Sequence, residues 1–252
     1  MRGEVASFLL AVQFLTRVPV QTTMLYSPER MAASVGYYPI VGVLVGGTSA
    51  LVFLAAGAIF AKTIAVLLAI ATALLITGAF HEDGLADTFD GIGGGLTRQK
   101  ALEIMKDSRL GTYGTLALVI AIALKAAALI ALDIDLLIAA LLAGHGLSRF
   151  SSVLVIRTSR YVRDEGTGKP VAGGISRASF ILALVTACAI GAVWYTCLPA
   201  GALGFAFAGL AIGHILMRLF FEPKLSGYTG DTLGAVQQSS EIGFYLGLVA
   251  WV

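Results

Sequence analysis

The sequence predicts an all-α integral membrane bundle, about six to seven transmembrane helices behind an N-terminal interfacial helix, forming one membrane-embedded domain over residues 1–252. Three observations carry that prediction. Hydrophobic residues make up 58% of the 252 residues and charged residues only 13%, against about 25% charged in soluble domains, and the mean hydropathy is +0.88. Apolar stretches of about 20 residues, the length that crosses the hydrocarbon core, recur along the chain. Lysines and arginines gather in alternate connecting segments, as short cytoplasmic loops require. A water-soluble globule, a disordered chain and a coiled coil are excluded, because each needs polarity that this composition lacks. The formal net charge of +2 points to no nucleic-acid partner. Cys188 and Cys197 share one apolar stretch without metal-ligand spacing and read as small apolar side chains.

In chain order, Val5, Phe8, Leu9, Val12 and Leu15 recur at helical spacing, with Gln13 and Thr16 off the stripe. This predicts a helix lying at the membrane surface, too short to span. Gln13, Thr16, Arg17 and Pro19 stand where a small-residue cleavage site would be expected, so the segment reads as retained. Spans are expected near residues 37–60, 63–80, 110–132, 136–156, 178–198 and 200–221. A weaker last span ends at Val252; its apolar part starts only at Ile242, so to cross it must begin inside the polar segment 231–241. With the N-terminus cytoplasmic, Arg2, Arg17, Arg30, Arg98, Lys100, Lys106, Arg109, Arg157, Arg160, Arg163, Lys169, Arg177 and Lys224 all face the cytoplasm. Lys62 alone lies outside, while Lys125, Arg149 and Arg218 fall within spans. Trp194, Tyr195 and Trp251 then sit near outer helix ends, as an aromatic belt requires. Of the acids, only Asp133 and Asp135 fall outside the cytoplasmic segments. Chemistry is therefore expected to open toward the cytoplasm.

The densest polar feature is HEDGLADTFDGIGGG, residues 81–95. Asp83, Asp87 and Asp90 stand at i, i+4 and i+7, one face of a helix, with Glu82 on the flank. Stacked like charges repel; a cation relieves them, and all-oxygen ligands favour Mg²⁺ or Mn²⁺. The bland alternative is a solvated acidic loop, against which stand short aspartates spaced by small residues with no lysine in the run. Gly84 and Gly91 permit close approach of a substrate or helix, and residues 93–95 read as a flexible linker.

Three further phrases qualify. EIMKDSRLGTYG, residues 103–114, offers Lys106, Asp107 and Arg109 to a phosphate-bearing ligand. An ordinary positive-inside flank explains the two cations equally well, but a flank needs no acid. The basic, glycine-rich loop RTSRYVRDEGTGKPVAGGISR, residues 157–177, fits a topology determinant or a phosphate site. GYTGDTLGA, residues 227–235, places Asp231 at the start of the last helix, where capping and ligand roles are compatible. Within spans, His145 with Arg149 and His214 with Arg218 repeat an i, i+4 spacing, a weak hint of an internal repeat. Arg218 lies near enough to a helix end to snorkel. Arg149 is deeper, the better candidate for a phosphate or an aspartate. Lys125 has no partner in sequence. No zinc, Walker or serine-nucleophile motif is present. Carboxylates beside phosphate-sized cations suggest phosphoryl or nucleotidyl-type transfer onto a membrane-associated acceptor.

At these residues the chain resembles the cobalamin synthases, or adenosylcobinamide-GDP ribazoletransferases. HEDGLADTFDGIGGG, IMKDSRLGTYG and YTGDTLGA carry the resemblance, with the earlier FLTRVPV and GYYPIVGVLVG, so it covers most of the chain in order. Residues 157–177 match only loosely. The resemblance implies an Mg²⁺-dependent phosphotransferase of cobalamin biosynthesis, multi-pass in a bacterial or archaeal cytoplasmic (inner) membrane. A ribose hydroxyl of α-ribazole, or of its 5′-phosphate, would attack the phosphate attached to cobinamide in adenosylcobinamide-GDP, giving adenosylcobalamin or its 5′-phosphate and releasing GMP. The family's acidic motif maps onto Glu82, Asp83, Asp87 and Asp90 as catalytic residues, with metal expected at Asp83, Asp87, Asp90 and Asp107. Lys106, Arg109, Arg149 and Asp231 are the expected substrate-binding residues, and Lys106, Arg109 or Arg149 would steady the leaving GMP. Which carboxylate is ligand and which is base stays open, as do the number of metal ions, homo-oligomerisation and the seat of the corrinoid. The CDP-alcohol phosphotransferases are the nearest enzymatic alternative, but Ala86 precedes Asp87 where they carry arginine. A cation-coupled transporter or channel is the alternative of another class; it would hold its acids near mid-membrane between matching halves.

Overall fold

The computed structural model describes residues 2–21, 25–163 and 174–252, and among these every regular element is helical. Helix α1 (Arg2–Leu15) is followed by α2 (Pro28–Ser34), which Ser27 caps by accepting from the Arg30 amide, with Pro28 in the first turn. A 3₁₀ turn, Val35–Tyr37, leads into α3 (Tyr38–Gly57). Helix α4 (Lys62–Thr77) ends on two successive left-handed residues, Gly78 at φ 65° and Ala79 at φ 55°. Glycine takes that conformation without steric cost. The pair swings the chain through 87° into α5 (Phe80–Gly94). There follow α6 (Arg98–Ile104), α7 (Thr112–Ala131), α8 (Ile134–Thr158), α9 (Arg177–Cys197), α10 (Ala200–Leu225) and α11 (Gly230–Trp251). Asp133 caps α8 and Ser176 caps α9.

Five of these segments are long and apolar enough to cross a membrane: residues 28–57, α7, α8, α9 and α10. The pair α4 and α5 makes a sixth only if counted as one bent span. Helix α5 carries the acidic run and turns nearly at right angles from α4, so we place it outside the crossing segments. Helix α11 is 22 residues long but too polar in its first half to qualify on composition. It begins at Gly230, taking in the whole polar segment 231–241, and buries Gln237, Gln238, Ser240 and Glu241 against the bundle.

Two apolar clusters form the core. One, including Phe53, Val66, Leu129, Leu137, Trp194 and Phe244, lies toward the helix ends remote from α5. The other, including Tyr38, Leu85, Met105, Val153, Phe221 and Val236, lies toward the acidic helix. Between them is a layer of buried polar and charged side chains.

Candidate active site

Helix α5 is held from three sides, by α6, by the start of α7 and by the first half of α11. At Gly84 its backbone meets the first turn of α11, where an added Cβ would come within 2.6 Å of the Asp231 carbonyl oxygen. That contact brings Asp231 beside the acids of α5. Their side chains then diverge in role.

Glu82 turns into the bundle. Its Oε1 accepts from Gln238 Nε2 at 2.8 Å and lies 3.6 Å from Lys125 Nζ. Lys125 in turn is 2.9 Å from Glu241 Oε1. The other Glu241 oxygen accepts from Gln237 Nε2 at 2.6 Å and stands 3.3 Å from His145 Nδ1, while the Tyr245 hydroxyl donates to Oε1 at 3.2 Å. Arg149 lies one turn from His145 and donates to the His145 carbonyl at 3.0 Å. Glu82 and Glu241 thus share the layer between the apolar clusters with Lys125 and Arg149. Burial of ions is tolerable only with such pairing and hydrogen bonding.

Asp90 does something else. Its Oδ2 accepts from the Gly111 amide at 2.7 Å and its Oδ1 from the Gly114 amide at 2.9 Å. The carboxylate satisfies amide donors at the α7 N-terminus, where a negative charge is favoured.

Asp83 is exposed, Asp87 half-buried and Asp231 nearly buried. Burial, then the neighbouring Asp231 and Asp83 carboxylates, push the Asp87 carboxyl up to about 7, against the pull of Arg163. Arg163 Nη1 donates to Asp231 Oδ2 at 2.7 Å. The acids are therefore close enough to repel, yet among the described residues no three His, Cys, Asp or Glu side chains are arranged to hold a metal ion. Asp83 and Glu82 border an open cavity of about 580 Å³ between the end of α1, the Gly78 turn and the start of α7, with Gln13, Arg17 and Leu110 also on its wall.

Residues 7–249 of the chain match the family model of cobalamin-5-phosphate synthase. The chain belongs to the cobalamin-5-phosphate synthase family. Among curated relatives, the adenosylcobinamide-GDP ribazoletransferase of Leptothrix cholodnii is 45% identical, covering 99% of this chain and 97% of that protein. Those of Shewanella woodyi, at 38%, and Vibrio cholerae serotype O1, at 40%, each cover all of this chain and at least 96% of their own length. No solved structure matches.

In this member of the cobalamin-5-phosphate synthase family, several expectations meet a different geometry. Asp83 and Asp87 share a neighbourhood with Asp231, as the spacing suggests, but Asp90 spends both oxygens on backbone amides. Glu82 and Glu241, placed by sequence on the cytoplasmic face, lie inside the bundle. Arg149 pairs with no aspartate among the described residues; at 2% exposure it belongs to the buried layer. Thr229, not Asp231, caps α11, exchanging hydrogen bonds with Thr232 in a capping box. Asp107 is clamped by Arg109, through Nε at 3.0 Å and Nη2 at 2.6 Å, both side chains toward solvent. The Arg109 N–H groups hold its carboxyl down to about 2. Lys106 is exposed. Residues 93–95 are no linker, since α5 continues through Gly94 and Gly93 abuts the Tyr113 ring. Arg218 meets Glu222 at 2.9 Å and so has a partner of its own. Of the basic loop, residues 164–173, with Lys169, lie outside the described residues.

Sequence reasoning left Lys125 without a partner and gave Glu241 no role. The signal available was a cation midway along the apolar helix α7 and an acid where the polar half of α11 gives way to its apolar half, since uncompensated ions at that depth are costly.

Proposed function

We propose that the chain is an adenosylcobinamide-GDP ribazoletransferase, acting in cobalamin biosynthesis. The single observation that carries this reading is near full-length similarity to relatives of that name. The reaction joins a ribose hydroxyl oxygen of α-ribazole, or of its 5′-phosphate, to the phosphorus that bears cobinamide. The P–O bond to the guanylyl group breaks, GMP leaves with that bridging oxygen and its electron pair, and the hydroxyl proton passes to water.

Mg²⁺ is the fitting metal. The donors at hand, Asp83, Asp87 and Asp231, are all carboxylates, with Arg163 the cation acting among them. Mg²⁺ keeps several waters and needs only one or two protein carboxylates when phosphate oxygens complete its shell. It suits a site where acids adjoin without closing a cage. Asp83 and Asp87 would hold it, with Asp231 as neighbour. Such an ion would supply electrostatic neutralisation of the charge that develops on the phosphate during transfer.

The chain's own residues do the rest. Glu82 anchors α5 to α7 and α11 through Lys125 and Gln238, and Asp90 ties its far end to the α7 amides, so the acids ride on a fixed helix. Lys106 and Arg109 stand in solvent at the approach to α7, where positive charge draws anionic substrates. The cytoplasm is the side assigned to this face, on the distribution of lysines and arginines, in a bacterial cytoplasmic membrane. Both substrates and the lipid bilayer are then the partners.

The test is GMP release from adenosylcobinamide-GDP by protein purified in detergent, with and without Mg²⁺ and α-ribazole. Release that requires both, and that Asp87→Asn abolishes in folded protein, is the expected outcome. Release independent of α-ribazole overturns the assignment, whereas full turnover of Asp87→Asn removes the acidic cluster from the mechanism.

A further inference from the structure

One buried cation beside the acids has more donors than partners. Arg163 follows a short stitch between two loops: the Val162 amide donates to the Tyr228 carbonyl at 3.0 Å, and the Tyr228 amide to the Arg160 carbonyl at 2.9 Å. Arg160 Nε adds a bond to the Ser226 carbonyl at 2.9 Å. The stitch fixes Arg163 at the start of α11. Its side chain is only 8% exposed, and Nη1 is taken by Asp231. The remaining edge is not: Nε and Nη2 are buried and have no hydrogen-bond partner among the described residues. A guanidinium carries five donors in a rigid fork, and leaving charged donors buried and unpaired costs more than leaving neutral ones. The Nε–Nη2 edge presents two parallel N–H bonds, the shape that takes two oxygens of a phosphate or carboxylate. Among the described residues no carboxylate fills it; Asp231 is already on the other side of the group.

We propose that Arg163 is a phosphate-binding residue of this site, held through Nη1 by Asp231 and receiving two phosphate oxygens on its Nε–Nη2 edge. The inference rests on the ribazoletransferase reading for the identity of the phosphate. Two sources share the chemistry, the diphosphate of adenosylcobinamide-GDP and the 5′-phosphate of the phosphorylated acceptor. Asp231 then acts as a positioning residue. It orients a fork rather than touching substrate.

Two measurements test this on the full-length protein in detergent. The first is equilibrium binding of GMP, of inorganic pyrophosphate and of α-ribazole 5′-phosphate to wild type, Arg163→Lys and the double variant Arg163→Gln/Asp231→Asn. Lysine keeps the charge and loses the fork, and the double variant removes both charges without stranding the aspartate. Loss of about 10- to 100-fold in affinity for at least one probe, in both variants, is the expected result, the worth of charge-assisted hydrogen bonds. The second is steady-state kinetics with each acceptor. A KM for adenosylcobinamide-GDP raised with either acceptor assigns Arg163 to the donor diphosphate. A KM raised only for α-ribazole 5′-phosphate, with α-ribazole unaffected, assigns it to the acceptor. Unchanged binding of all three probes by folded Arg163→Lys overturns the proposal while wild-type turnover leaves the enzyme assignment standing. Conversely, probe binding that depends on Arg163 in a protein that releases no GMP keeps the phosphate site and sinks the enzyme assignment.

Discussion

Replacing Lys125 by methionine removes the cation that faces both Glu82 and Glu241 while nearly preserving side-chain volume. At an effective dielectric of about 20, the separations of 2.9 Å and 3.6 Å correspond to gross attractions of about 6 and about 5 kcal/mol. Much of this offsets the desolvation of the ammonium and the carboxylates, which itself costs several kcal/mol per ion. What the variant exposes is the remainder: two buried carboxylates left short of a cation, a loss of about 3–5 kcal/mol in stability. The assay is unfolding in mixed micelles titrated with a denaturing detergent, followed by circular dichroism. Lys125→Met/Glu241→Gln restores neutrality in the layer and recovers at least half of the loss, because deleting both partners is far milder than deleting one. If Lys125→Met unfolds within about 0.5 kcal/mol of wild type, the range of an ordinary surface substitution, the three groups are not paired as described and the reasoning fails.

Asp90→Asn turns an amide NH₂ toward at least one of the Gly111 and Gly114 amides and costs about 2 kcal/mol or more; a detergent melting curve that does not move would contradict its role at α7. Asp107, held down to about 2 by Arg109, has a folded value below its ordinary one, so its contribution is present above pH about 4 and is lost as pH falls toward 2. The melting temperatures of wild type and Asp107→Asn should differ slightly at pH 7, less in high salt, and converge below pH 3; a gap that widens on acidification reverses the sign. For topology, a cysteine-free background carrying Leu96→Cys, at a position 95% exposed, or Ile59→Cys, at one 78% exposed, is treated with a membrane-impermeant maleimide. Intact cells should label position 59 and inverted vesicles position 96; the opposite pattern places the acids on the wrong side of the bilayer.

The aspartate spacing in residues 81–95 implies a shared acidic face if the segment is helical, because periodicity is local, and α5 is that helix. It could not tell Asp90 from Asp83, since what distinguishes them is the pair of free amides at Gly111 and Gly114, presented by another helix. Glu82 looked like one more acid of the cluster, and only the quarter turn of chain at Gly78 and Ala79 shows that it faces inward. The Lys125 pairings join residues distant in sequence, to which no window of composition is sensitive. Arg163 was hidden differently: in a loop rich in cations, positive-inside bias accounts for any single arginine, and burial alone singles this one out.

The ionic layer also constrains how the protein is made. Glu82, Lys125, His145 and Arg149 precede Glu241 in the chain, so a growing polypeptide places both cations in or near the bilayer when only one of their two counter-charges has been synthesised. Charge balance arrives with α11. Docking of that half-polar helix is therefore the event that locks the earlier ones into register, and the same event carries Asp231 to the acids of α5.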